Sequence, residues 1–233
     1  MLIGSFPAGP LAANCYVLAA EPGGACVVID PGMNAVTGLD RVLQEHRLTP
    51  AAVLLTHGHF DHVADAAQIA DRYDAGCWIG AEDRGWLSDP LAALTPDLQL
   101  LVTGYVEPHD VAEPSRMLTA TADPADPADL RLDVAGIEFD LLPAPGHTPG
   151  STLLRTVDQA RGRELIFTGD VLFAGTVGRT DLPGGDPAAM ERTLSTTVLS
   201  LADDAVVLPG HGPQTTIGRE RAGNPFLVGF GKS

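Results

Sequence analysis

The pattern of apolar and polar positions predicts short strands alternating with helices. Runs of β-branched and other apolar residues are bounded by Gly, Pro and Asp, as is typical of strands separated by tight turns. Around Ala135-Gly136, apolar and polar residues alternate on both sides, which indicates a hairpin with one buried face. The predicted strands are 2–6, 14–20, 25–30, 53–55, 77–80, 130–134, 137–142, 151–157, 163–168 and 206–208.

A longer period marks the helices. Val36, Leu39 and Leu43 recur at spacings of three to four residues and predict a helix over 35–46 with one buried face. Asn34 precedes this helix and is a candidate N-cap residue. Further helices are predicted over 63–73, over 82–88, from Asp186-Pro187 (where a cap residue meets a first-position proline) and, as a short polar helix, within 216–230.

Composition and charge narrow the classes of function. Thirty acidic and fourteen basic residues give a net charge of −16. Nucleic-acid binding requires a surface rich in Lys and Arg, so we expect no nucleic-acid partner, and an anionic membrane surface is disfavoured for the same reason. No apolar run approaches the roughly 18 residues of a membrane span, and the first residues are typical of a strand and not of a signal peptide.

The three cysteines support an expected cytoplasmic location. Cys15, Cys26 and Cys77 are scattered and lie within apolar runs. An odd number of cysteines in such contexts indicates buried thiols in a reducing compartment, and neither a disulfide set nor metal ligands.

One stretch concentrates side chains that bind metals. Thr56-His57-Gly58-His59-Phe60-Asp61-His62 directly follows the predicted strand 53–55. His57 and His59 are two residues apart, so in extended or loop backbone both imidazoles point the same way. Asp61 and His62 are offset from that pair and can serve a second metal. Imidazole and carboxylate suit zinc, iron or manganese. The alternative is a surface turn, but three of the chain's seven histidines are interleaved with an aspartate here.

Three further candidate ligands follow other predicted strands. His147 lies in the segment 145–150, Asp170 follows the apolar run that ends at Phe167, and His211 follows the strand 206–208. Each is flanked by Gly or Pro, at the point where functional loops begin. The seven candidates together are sufficient for a two-metal site.

The order of these residues resembles the metallo-β-lactamase superfamily. The family's motifs correspond here to Asp30, to His57-x-His59-x-Asp61-His62, and to His147, Asp170 and His211. Within the superfamily, the stretches 168–173, 178–182 and 209–213 are similar to short bacterial members of the glyoxalase II (hydroxyacylglutathione hydrolase) group. The resemblance implies an α+β fold, the αβ/βα four-layer sandwich, in which two mixed β-sheets carry helices on both outer faces, and one domain spanning 1–233.

The resemblance also implies a chemistry. Two zinc (or iron or manganese) ions would be held, the first by His57, His59 and His147, the second by Asp61, His62 and His211, with Asp170 bridging them. A hydroxide bridging the metals would hydrolyse a small-molecule thioester, such as the 2-hydroxyacyl thioester S-lactoylglutathione, with Asp61 and Asp170 in catalytic roles. Asp30 would support the metal loop, the alternative being a plain turn residue.

Arg179 corresponds to a basic residue that contacts the glutathione part of the substrate in glyoxalase II enzymes. Its alternative role is an ion pair with Asp181. Only 22 residues follow His211, too few for the C-terminal helical domain of longer glyoxalase II enzymes, which carries much of the glutathione-binding surface. The resemblance therefore leaves open another low-molecular-weight thiol as the carrier.

Three other functions share this motif set. The strongest rival is a persulfide dioxygenase with a single iron, held by analogy by His57, His147 and Asp170. A lactonase has the same ligands, and a non-catalytic metal-binding protein is the alternative from another class. A true β-lactamase is disfavoured, because the position of Asp170 is typically Cys in such enzymes.

Overall fold

The computed structural model describes residues 1–102, 112–119, 121–122 and 130–229. The first part of the chain builds one mixed sheet, with neighbouring strands in sequence order. Its first three strands are antiparallel, and the last three run parallel, connected by helices. The elements are β1 (Leu2–Ala8), β2 (Ala13–Ala19), β3 (Ala25–Ile29), α1 (Ala35–His46), β4 (Thr49–Leu54), α2 (Phe60–Val63), α3 (Ala66–Tyr73) and β5 (Gly76–Trp78).

Short helices connect this sheet to a second one. Two 3-10 helices, Ala81–Leu87 and Pro90–Ala93, precede α4 (Pro96–Val102). The strands that follow are β6 (Thr121–Ala122), β7 (Leu130–Val134), β8 (Ile137–Pro143), β9 (Thr152–Asp158), β10 (Arg163–Gly169), β11 (Leu172–Phe173) and β12 (Thr176–Val177). The last elements are α5 (Pro187–Arg192), which continues through a π turn and a 3-10 turn to Ser200, then β13 (Val206–Pro209), β14 (Thr215–Thr216) and α6 (Ile217–Gly223).

The second sheet is also mixed. Its strand order is β14-β13-β10-β9-β8-β7-β6, and β11 and β12 form a separate ribbon. The pairs of β7 through β10 are antiparallel, whereas β10 and β13 run parallel. Parallel neighbours end at the same edge of a sheet, so the segments after β10 and β13 emerge side by side.

The two sheets pack face to face, with helices outside. Ile29 and Leu54 of the first sheet share a buried cluster with Phe139 and Phe167 of the second. The outer face of the first sheet packs against α1 and α3, and that of the second sheet against α5 and α6. The central strands β3 and β10 are therefore buried on both faces over most of their length, whereas β8 alternates between buried apolar and more exposed polar residues. This arrangement confirms the predicted four-layer sandwich.

Most predicted elements occur within two residues of their expected ends, but two local predictions were wrong. Asn34 has left-handed backbone (φ 60°) and forms no side-chain cap bond within the described chain. A capping residue requires extended backbone to turn its oxygen toward the helix. The carboxylate of Asp65 accepts from the Val36 amide instead, at 3.1 Å. The helix predicted over 63–73 is divided into α2 and α3, and Asp61 and His62 lie within α2.

The remaining comparisons concern one helix cap and several short elements. The Asp186 cap is confirmed, since its carboxylate accepts from the amides of Ala188 and Ala189 at 2.8 and 3.0 Å. Helix α4 and the short strands β11, β12 and β14 were not predicted, because segments of two to seven residues carry too few apolar repeats. Within the described residues, no helix has the length and apolar character of a membrane crossing.

Candidate metal centre

Four strands deliver the candidate ligands to one edge of the sandwich. The loop after β4 carries His57 and His59 directly into α2, and the loop after β8 carries His147. Asp170 follows β10 and His211 follows β13. Because β10 and β13 are parallel neighbours, their last residues meet, and the two packed sheets bring the other loops opposite them. Residues separated by up to 154 positions thus surround one point.

One group of ligand atoms belongs to three histidines. One ring nitrogen from each of His57, His59 and His147 lies within 4.8 Å of the others, and all three side chains are buried. Nδ1 of His59 and Nε2 of His147 are only 2.8 Å apart. The structure therefore brings together the three residues expected around the first metal.

A second group lies beside the first. Ligand atoms of Asp61, His62 and His211 also lie within 4.8 Å of one another. Nε2 of His211 is 3.3 Å from Oδ2 of Asp61 and 3.3 Å from Nε2 of His62. Asp170 lies between the groups, with one carboxylate oxygen 3.7 Å from His147 and from His211. Its other oxygen is 3.4 Å from Nε2 of His62.

Hydrogen bonds outside the cluster fix which nitrogen of each ring is free. The Thr56 hydroxyl donates to Asp30 at 2.6 Å, so its oxygen accepts from Nδ1 of His57 at 3.0 Å. Nδ1 of His62 donates to Asp30 at 3.1 Å. Nδ1 of His147 donates to the carbonyl of Arg179 at 2.7 Å. The rings of His57 and His147 consequently direct an unprotonated Nε2 into the cluster, which is how protein partners prepare histidines for metals, while Asp30 fixes the orientation of the His62 ring.

The buried donors fit a metal ion. Nε2 of His57 and of His59 has no hydrogen-bond partner among the described residues, although both atoms are buried. A buried polar atom without a partner is costly by about 1–3 kcal/mol and requires an explanation. Nitrogen and carboxylate ligands in these numbers suit zinc, iron or manganese.

Burial and neighbouring charges shift the pKa values of the clustered histidines in opposite directions. Burial and the nearby His62 lower the pKa of His57 well below its usual range. Burial and neighbouring histidines lower the pKa of His59 to about 3. Burial opposes a charge on His62 as well, but the carboxylates of Asp170 and Asp61 raise its pKa well above the usual value. Neutral imidazoles, which offer a lone pair to a cation, therefore occupy one side, and the carboxylates the other.

Asp30 anchors the metal loop. It is 2% exposed, and its carboxylate accepts from the amide and the hydroxyl of Thr56 and from His62. Its backbone is left-handed (φ 49°), a conformation that aspartate tolerates better than most residues. The structure thus gives Asp30 the supporting contacts expected of the family's first motif.

Asp83 is a buried residue that the sequence did not single out. Its carboxylate accepts from the Gly58 amide at 2.9 Å, from the Thr148 hydroxyl at 2.6 Å and from the Gly150 amide at 2.7 Å. It therefore connects the loop of His57 and His59 to the loop of His147. The Thr148 hydroxyl also lies 2.7 Å from the hydroxyl of Ser151. The chain offered little signal, because Asp83 sits between Glu82 and Arg84 in an ordinary charged turn.

Arg179 lies at the rim of the cluster. Its backbone carbonyl holds His147, while its guanidinium forms a bidentate ion pair with Asp181, at 2.6 and 2.7 Å. The alternative predicted for this residue, an ion pair with Asp181, is thus present. Arg179 also lines a cavity that lies above His59. Its contact with a substrate stays a prediction.

Known sequences extend these observations. A sequence model of the Metallo-beta-lactamase superfamily matches residues 8–211. The uncharacterized protein Rv2581c of Mycobacterium tuberculosis is 44% identical over the full length of both chains. The probable metallo-hydrolase YqgX of Bacillus subtilis is 34% identical over 96% of each chain. The hydroxyacylglutathione hydrolase GloC of Haemophilus influenzae is 35% identical over 92% of each chain.

Solved structures agree with the sequence matches. The BLEG-1 B3 metallo-beta-lactamase superposes with a TM-score of 0.78 at 32% identity, covering 97% of this chain and 100% of that one. TTHA1623, in a di-iron-bound form, superposes with a TM-score of 0.73 at 35% identity, covering 96% and 100%. The shared fold, the full-length relatives and the matched motif region show that this chain belongs to the metallo-β-lactamase superfamily of metal-dependent hydrolases.

Proposed function

We propose that the protein is a dinuclear metal-dependent thioester hydrolase of the glyoxalase II type. The observation that carries this proposal is the position of Asp170, whose two oxygens face His147 and His211 on one side and His62 on the other. A carboxylate between two ligand groups can bind both ions. In this assignment His57, His59 and His147 would hold one ion, Asp61, His62 and His211 would hold the other, and Asp170 would supply a ligand to both.

The reaction follows from the chemistry of a thioester. When bound, a pair of divalent cations lowers the pKa of water and polarises a carbonyl oxygen. Water adds its oxygen to the acyl carbon, the C–S bond breaks with its electron pair on sulfur, and a carboxylic acid and a thiol result. Because a thiol has a pKa of about 8.5, the thiolate leaves without a dedicated general acid.

The charged residues of the chain indicate which groups take part in the reaction and which class of substrate is disfavoured. Asp61 and Asp170 are proposed as the catalytic carboxylates, since both border the ring nitrogens from the open side of the cluster and remain charged. Burial would raise the pKa of Asp170, but the neighbouring His62 lowers it overall. The substrate is proposed to be a small molecule, because the net charge of −16 opposes a polyanion such as a nucleic acid.

Individual relatives support different parts of this proposal, namely the substrate and the metal ions. GloC bears the name of a hydroxyacylglutathione hydrolase, and its 35% identity over 92% of both chains makes S-lactoylglutathione the first substrate to test. BLEG-1 is titled a B3 metallo-beta-lactamase, so a β-lactam belongs in the same panel. TTHA1623 with two irons supports a dinuclear site and makes iron a candidate beside zinc.

The test is elemental analysis of the purified protein together with S-lactoylglutathione hydrolysis on the same sample. We expect about two ions per chain and turnover. Asp170→Asn should lose one ion and most activity, whereas Asp204→Asn, at an exposed turn, should change neither. A removed bridging ligand costs on the order of 100-fold or more in metal affinity or rate.

The other results identify the rivals. A single iron, no thioester turnover and oxygen uptake with glutathione persulfide would assign the protein as a persulfide dioxygenase. Two metals with β-lactam or lactone hydrolysis but no thioester hydrolysis would keep the metal centre and replace the substrate. Wild-type activity in Asp170→Asn would contradict the two-metal assignment.

A further inference from the structure

A cavity of about 600 Å³ opens directly above the metal centre. His59, Asp61, His147, Asp170 and His211 form its floor. Of the sixteen described residues that line it, nine are apolar side chains or proline, and Arg179 is the one charged residue beyond the candidate ligands. The cavity therefore presents reactive groups at its base and an apolar wall around them.

The wall is packed, and its members come from separate elements. Met33, Phe60 and Leu94 are buried in one apolar cluster, against which Leu98 of α4 packs. Phe173 and Leu182 line other parts of the wall, beyond β10. Since Met33, Phe60 and Leu94 are at least 92% buried, they hold their positions before any substrate arrives. A pre-formed apolar cavity with convergent polar groups is the usual form of a small-molecule site.

Charge is scarce in this wall. The guanidinium of Arg179 is already paired with the Asp181 carboxylate at 2.6 and 2.7 Å. A substrate carboxylate would have to compete with that pair. Glutathione carries two carboxylates and an ammonium, and other thiol carriers are similarly rich in polar groups. Burying such groups against apolar walls without partners is unfavourable, so the polar carrier belongs at the open rim and the apolar wall faces the acyl group.

We propose that the preferred substrate is a thioester with an extended apolar acyl chain, of about six to eight carbons, and that its chain is bound by the wall formed by Phe60, Leu94, Leu98, Phe173 and Leu182. This inference rests on the proposed thioester hydrolysis and defines its substrate class. A volume of 600 Å³ corresponds to roughly twenty waters at about 30 Å³ each. A three-carbon lactoyl group would leave most of that volume as water against apolar side chains.

The test is a series of S-acyl thioesters hydrolysed by the metal-loaded protein. Acetyl, lactoyl, butanoyl, hexanoyl and octanoyl groups are attached to glutathione and, separately, to uncharged N-acetylcysteamine. We expect kcat/KM to rise about fourfold for each added methylene with both carriers, until the cavity is full. Hydrolysis of lactoyl at least as fast as hexanoyl, or a flat series, would overturn the inference and leave the thioester hydrolase in place.

A matched pair of variants tests the wall itself. Leu98 lines the cavity, whereas Leu100, on the same helix, is 79% exposed. Leu98→Gln should lower kcat/KM for octanoyl thioesters by roughly tenfold and for acetyl thioesters by much less. Leu100→Gln should change neither. Leu182→Gln, on another part of the wall, should repeat the chain-length effect. Equal losses for both acyl lengths would contradict a role in chain binding.

Measuring the binding of the carboxylate products shows whether the acyl-chain site or the proposed reaction is wrong. Calorimetric titration with acetate, hexanoate and octanoate needs no turnover. If no thioester is hydrolysed but affinity rises with chain length and falls in Leu98→Gln, the apolar site stands and the assigned reaction is wrong. If affinity is independent of chain length, the apolar site is wrong as well.

Discussion

The Asp83 carboxylate and the Thr148 hydroxyl are 2.6 Å apart, and this hydrogen bond joins the 3-10 helix that follows β5 of the first sheet to the loop that follows β8 of the second. The same carboxylate accepts from Gly58, between His57 and His59. One buried side chain therefore sets the distance between candidate ligands that are 90 residues apart in the chain. Its position makes Asp83 a positioning residue for the metal centre.

Asp83→Asn should lower both stability and metal affinity. An amide nitrogen cannot accept a hydrogen bond, so at least one buried donor would lose its partner, at about 1–3 kcal/mol. Urea unfolding measures the stability, and metal titration of the folded variant measures the affinity. The neighbouring exposed Glu82→Gln is the control and should behave as wild type. A loss of stability with unchanged metal affinity would reduce Asp83 to a structural role.

Asp30→Asn should weaken metal binding without unfolding the chain. Asparagine tolerates the left-handed backbone at this position, where φ is 49°. Asp30 uses one oxygen for the Thr56 amide and the other for the Thr56 hydroxyl and His62, whereas asparagine has only one accepting oxygen, so at least one of these donors would face an NH2 group and the support of the metal loop would weaken. Loss of such a supporting contact typically lowers metal affinity about 10–100-fold. Competition with a chelator of known affinity gives the value, and an unchanged affinity would exclude this role.

Gly32→Ala should displace α2 from its position beneath the metal loop. A Cβ at Gly32 would lie within 1.6 Å of the Asp61 carbonyl oxygen, so one of the two backbones must move. We expect a loss of roughly 3 kcal/mol or more, because overpacking typically costs about 1–3 kcal/mol and here the clash is with backbone, at an unusually short distance. Gly85→Ala is the control, because nothing lies within 4 Å of its Cβ. Thermal unfolding compares the two.

The buried thiols should make the protein less stable in alkaline solution. Burial raises the pKa of Cys26 and of Cys77 to about 12, whereas an unfolded thiol titrates near 8.5. Above about pH 8.5 the unfolded chain loses protons that the folded chain retains, so stability falls with pH, by up to about 1.4 kcal/mol per pH unit for each thiol.

Urea unfolding between pH 8 and 10 measures this slope, and Cys77→Ala should reduce it. Both thiols should also resist thiol reagents at pH 8 until the chain unfolds, because Cys26 and Cys77 are fully buried. Rapid labelling of the native protein would contradict the buried placement.

The relation between sequence and fold differs from one element to another. Strands β7 and β8 and helix α1 follow local apolar periods, and the structure places them within one residue of the prediction. Helix α4 has only seven residues and was missed. The N-cap at Asn34 was predicted wrongly, because residue type alone does not report the left-handed backbone that turns its side chain away.

Local signals along the chain were enough to locate the candidate metal ligands and the strand ends that present them. Histidines and aspartates at strand ends lie within a few positions of one another or follow apolar runs, and such signals are local. Which side-chain atoms lie next to one another became clear from the packing of the folded chain. Asp83 reaches Thr148, and Leu98 lines the same cavity as Asp170, through packing between distant segments. Such contacts depend on how the two sheets and their helices pack together. This packing leaves no periodic pattern of apolar residues in the sequence from which the contacts could be predicted.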